Sequence, residues 1–82
     1  MHEVAIAGGI LEAVRAEAAA RKPARAVKVG VRIGEMAGID PQSLAFCFEA
    51  LVKDTDLEPL DLEIERGCAD ELEFCYLELE PI

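Results

Sequence analysis

An α+β fold, a two-layer sandwich with two helices packed on one face of a three-stranded sheet in the order α-β-α-β-β, is predicted for this 82-residue chain. Three observations predict it. Apolar residues recur every three to four positions near the start, at Ile6, Ile10 and Val14. Strict alternation follows at Val27, Val29, Val31 and Ile33. A second helix start, Asp40-Pro41, then precedes two further alternating segments.

The first helix spans residues 3 to 21. Leu11 and Ala18 widen its apolar stripe, and Glu12, Arg15, Glu17, Arg21 and Lys22 cover its other side. Gly8-Gly9 opposes helix and is expected to admit the close approach of another backbone. Pro23 ends the segment. The first strand spans residues 26 to 33, with Lys28, Gly30 and Arg32 on its polar face. Gly34 to Gly38 form a connecting turn. The second helix runs from Asp40 to about Val52, with Leu44, Cys47, Phe48 and Leu51 on one face. Leu60, Leu62 and Ile64 alternate with Asp61, Glu63 and Glu65 as a second strand. Gly67-Cys68-Ala69-Asp70 is short and glycine-led, which fits a tight hairpin turn. The third strand, residues 71 to 80, changes phase. Leu72, Phe74 and Tyr76 share one face, whereas Leu77 and Leu79 lie on the other. A bulge near Tyr76-Leu77 would return both sets to one side, and a strand buried on both faces is the alternative. Tyr76 is expected in the core.

Composition narrows function. Hydrophobic residues make up 52% of the chain, enough for one folded domain over residues 1–82. The net charge of −9, from 17 acidic and 8 basic residues, argues against nucleic acid and anionic membrane. It fits a cation-handling protein or a basic partner, but a solvated acidic surface is the more common explanation. No membrane span or signal peptide is read, so the cytoplasm is the expected compartment. Cys47, Cys68 and Cys75 form no C-x-x-C pair, hence neither a disulfide framework nor a zinc cluster. A single histidine at a terminus assembles no catalytic constellation, and no enzyme is expected.

Met1-His2-Glu3 is the candidate site. The terminal amine, the intervening amide nitrogen and the His2 imidazole can reach one metal ion together. Nitrogen donors in a flat arrangement suit Ni(II) or Cu(II) better than tetrahedral Zn(II). Methionine before a histidine is expected to be retained. The bland alternative is an incidental histidine at a frayed terminus. Glu35 is read as a turn residue before a ligand.

The chain resembles the HypA/HybF family of nickel chaperones for [NiFe] hydrogenase maturation. The likeness rests on Met1-His2-Glu3 before an apolar helix, on Val29 to Gly38 with its Ile-Gly-Glu strand end, and on Asp40 to Glu49. Leu60 to Arg66 and Glu71 to Glu80 continue it. The resemblance implies a metallochaperone that holds Ni(II) through the Met1 amine, backbone amides near His2 and Glu3, and the His2 imidazole. Glu3 either lends its amide nitrogen, orients the imidazole with its carboxylate, or simply favours the first helical turn. The resemblance implies a nickel-loading GTPase, the hydrogenase large subunit and urease accessory proteins as partners. Family members carry a zinc module with two C-x-x-C pairs, expected here between residues 66 and 71. Only the short turn Gly67-Cys68-Ala69-Asp70 stands there, so zinc is not expected. A glycine-containing join between two strands that pair with one another favours excision by design over natural loss. Such a forced hairpin would also invite strand exchange into a homo-oligomer. The rival reading is a small acidic α+β interaction module that pairs through a sheet edge.

Overall fold

In a computed structural model, which describes residues 3–21 and 23–82, the element order is the expected α-β-α-β-β. Helix α1 spans Glu3–Ala20, strand β1 Ala24–Gly34, helix α2 Pro41–Val52, strand β2 Asp61–Gly67 and strand β3 Leu72–Pro81. Asp40 caps α2 as expected: its extended backbone turns the chain, and its carboxylate accepts the Gln42 N–H at 3.2 Å.

The sheet order is β2-β1-β3. β1 lies in the centre, parallel to β2 and antiparallel to β3. The expected hairpin between β2 and β3 is therefore overturned, because these strands flank β1 and do not pair. Without that pairing, excision by design is no longer favoured over natural loss. The charges explain the order. β2 turns Asp61, Glu63 and Glu65 to the open face, and β3 turns Glu73, Glu78 and Glu80 the same way. Side by side, the two would set carboxylate against carboxylate, which destabilises a sheet. With β1 between them, Arg32 reaches Glu65 at 2.8 Å and Glu73 at 3.2 Å. Lys28 lies 4.0 Å from Glu63, and Arg25 bonds Glu80. Each exposed pair contributes little in water, but like-charge contacts would carry the opposite sign.

Residues 68–71 cross the end of β1 to carry the chain from one edge to the other. Adjacent strands lie about 4.8 Å apart, so the crossing covers roughly 10 Å, within reach of four extended residues. Two bonds tie it down: the Gly34 N–H donates to the Glu71 carbonyl and the Met36 N–H to the Ala69 carbonyl, each at 2.8 Å. A Cβ on Gly34 would run into the Cys68 and Ala69 carbonyls, so glycine is what lets the crossing lie this close.

Two bulges set the sheet's faces. On β3 the register passes from Gly30↔Tyr76 to Val31↔Phe74, leaving Cys75 as the extra residue. Leu72 and Phe74 thereby share the helix-facing side with Leu77 and Leu79, opposite Ile33, Val31, Val29 and Ala26. The phase change in the sequence is thus a bulge, one residue earlier than expected. Tyr76 consequently leaves the core: it lies over Gly30 on the open face, and its hydroxyl bonds the Glu63 carboxylate. On β1 the extra residue is Val27, so Ala26 takes the core position expected for it.

Both helices cover one face. Ala7, Ile10, Leu11 and Val14 of α1 join Leu44, Phe48 and Val52 of α2 over Val29, Val31 and Ile33. Val52, not Leu51, completes the α2 stripe, while Cys47 packs at its margin. Loop residues Ile39, Leu57 and Leu60 close the rim. A Cβ on Gly8 or Gly9 would meet open space, so among the described residues no other backbone approaches these glycines as the sequence suggested.

Candidate metal centre

Met1 and His2 lie outside the described residues; Glu3 opens α1. The start of α1 is clamped to the start of α2. The Asp40 N–H donates to Glu3 Oε2 at 3.2 Å, and Ser43 Oγ donates to Asp40 Oδ2 at 2.8 Å. Both helices converge here because Ala7, fully buried, and Leu44 bring their first turns into one core. The Asp40 N–H holds the Glu3 carboxyl below the usual carboxylate range, and the backbone amide of Glu3 itself acts in the same direction. An imidazole contact through this carboxylate would have to share it with Asp40.

The first N–H groups of a helix have no intrahelical acceptor. The amide of Glu3 is therefore not committed to the ladder of α1. The positive end of a helix dipole repels cations. A metal bound at this terminus would have to overcome that repulsion through its donors.

The other candidates are scattered. Glu35 is exposed in the turn after β1. Cys68 and Cys75 are exposed free thiols, and Cys47 is half-buried. Among the described residues, no group of three or more histidine, cysteine or acidic side chains is placed to hold a metal ion. No helix among them is long and apolar enough to cross a membrane. The Glu3–Asp40 clamp escaped sequence reasoning, since it joins residues 37 positions apart. Its only sequence signal was an acid at a helix start paired with a second helix cap.

Comparison with known proteins bears on this terminus. A family described as "Hydrogenase/urease nickel incorporation, metallochaperone, hypA" matches residues 1–75. A hydrogenase maturation factor HypA from Chlorobium limicola is 45% identical over 69 residues, covering 84% of this chain and 60% of that protein. One from Methanopyrus kandleri is 40% identical over 75 residues, covering 85% and 53%. One from Albidiferax ferrireducens is 38% identical over 66 residues, covering 78% and 57%. The chain thus spans between about half and three fifths of the length of these curated relatives. No solved structure matches it. With the match running from the Met1-His2-Glu3 terminus through α1, β1, α2 and β2 into the start of β3, the chain belongs to the HypA family of nickel-incorporation metallochaperones.

Proposed function

We propose that residues 1–82 form one nickel-binding domain, which takes up Ni(II) as cargo at Met1, His2 and Glu3 and passes it on for [NiFe] hydrogenase maturation. The observation that carries this reading is the family match from residue 1 through the whole of α1 and α2. The donors are the Met1 amine, amide nitrogens near His2 and Glu3, and the His2 imidazole. The Glu3 carboxylate fixes the start of α1 against α2 through the Asp40 N–H, and on this reading the Glu3 amide lends its nitrogen to the metal. The reading makes no bond chemistry necessary: the protein binds, carries and releases.

Ligation needs a neutral imidazole and deprotonated amide, so affinity rises with pH. An unperturbed imidazole titrates near about 6.5, which makes mild acid the condition for release. A nickel-loading GTPase, the hydrogenase large subunit and urease accessory proteins are the proposed partners, in the cytoplasm. Zinc is no part of this reading, because no C-x-x-C pair stands between β2 and β3.

The test is a Ni(II) titration by calorimetry and visible absorption on three tag-free proteins: this chain, His2→Ala, and a variant with one residue added before Met1. The expected result is one site with a planar-nickel band, lost in both variants. Equal binding by all three, or no binding by the first, overturns the reading and leaves an acidic interaction module.

A further inference from the structure

β3 is an edge strand: β1 pairs with one side of it, and no described strand pairs with the other. Alternate N–H and C=O groups along an edge point outward and can template another strand. Proteins usually blunt such an edge by covering it, but here the cover is incomplete. Leu72 and Phe74 lie on the helix-facing side, yet remain 47% and 38% exposed. Beside them a cleft opens between β3 and α1, floored by Phe74, Leu77 and Leu79, walled by Ala13 and Ala16, and bordered by Glu17 and Arg21, which pair with one another at 3.5 Å. Small alanines on the helix leave room for side chains from outside. The open face of the same strand is acidic. Glu73 and Glu80 have arginine partners, but Glu78 has no ion pair among the described residues, because its register neighbour Lys28 leans toward Glu63.

We propose that the β3 edge binds an extended segment of a partner protein in which basic residues alternate with aliphatic ones. Its backbone would add a fourth strand along Tyr76–Glu80, beyond the Cys75 bulge. Its aliphatic side chains would enter the cleft at Ala13, Ala16, Leu77 and Leu79, and a basic one would meet Glu78. Strand addition takes affinity from main-chain bonds and specificity from alternate side chains, and β3 offers both sets. Charge selects the occupant. A second copy pairing β3 with β3 would bring the glutamates of one strand beside those of the other, which is unfavourable. The site lies on β3 and α1 and requires no nickel.

The test uses the intact metal-free chain and a short peptide of alternating lysine and valine. Binding is read by fluorescence anisotropy, and amide hydrogen exchange locates it. Expected is protection at residues 76–80, a loss of about tenfold when alternate peptide nitrogens are methylated, and a loss of about fivefold in Glu78→Lys. Circular dichroism of Glu78→Lys checks that the fold is kept, and Glu78→Gln should fall between the two. A glutamate–valine peptide should not bind. Equal binding of plain and methylated peptides, protection at β2 instead, or no binding overturns the proposal. So does sedimentation showing a dimer that itself protects β3, which would make a second copy the occupant.

Discussion

Tyr76 shows how one residue's surroundings reset its chemistry. Its hydroxyl donates to the Glu63 carboxylate, whose charge opposes a phenolate, and this bond together with partial burial pushes the phenol up to about 12 from its ordinary 10.0. The folded state therefore favours the neutral phenol. Its contribution to stability is full below pH 10 and is lost as pH rises toward 12. Ultraviolet titration should find the tyrosine ionising near 12, and Glu63→Gln should return it toward 10. An unchanged midpoint in that variant would contradict the bond. The sequence placed Tyr76 in the core because it alternates with Leu72 and Phe74. Only the bulge at Cys75, which breaks that alternation, turns it to the open face.

Among the elements, the crossing of β1 by residues 68–71 is the most constrained. Gly34→Ala would drive a Cβ into backbone carbonyls that are themselves held by two hydrogen bonds, at a cost of about 1–3 kcal/mol. Gly30→Ala meets the Tyr76 ring, the end of a side chain that can swing outward. Denaturant unfolding should therefore show the larger loss for Gly34→Ala, while Gly30→Ala should chiefly release the tyrosine titration. In α2 the register is equally testable. Phe48 is 2% exposed and Leu51 39%. Phe48→Ala should cost about 3–5 kcal/mol, whereas Leu51→Ala should stay within about 1 kcal/mol. The helical spacing admits either Leu51 or Val52 on the buried stripe. Packing against the sheet and α1 chooses Val52, which is 4% exposed.

For the whole molecule, charge is the dominant global term. With 17 acidic residues against 8 basic ones, the paired charges on the open sheet face leave a large acidic excess. Salt at about 0.5 M shortens the screening length to well under 10 Å and damps that repulsion. Thermal melts should accordingly show a higher midpoint in added salt. A lower midpoint would mean that the Arg32 network outweighs the global repulsion. The same excess favours cations around the protein without making a site. On the proposed reading, selectivity for nickel would have to come from the donors of Met1, His2 and Glu3.

Read alone, the sequence determined the element order, the Asp40 cap of α2 and the aliphatic core of β1 from Val29 to Ile33. Each rests on local periodicity or on covalent adjacency, which the chain carries from residue to residue. Tertiary structure alone decided that β1 separates β2 from β3, that Glu3 is spent on Asp40, and which face Tyr76 takes. These depend on interactions between residues far apart in sequence. A short glycine-led link between two alternating segments reads locally as a hairpin, and only the opposition of two acidic strands across a cationic one turns it into a crossing.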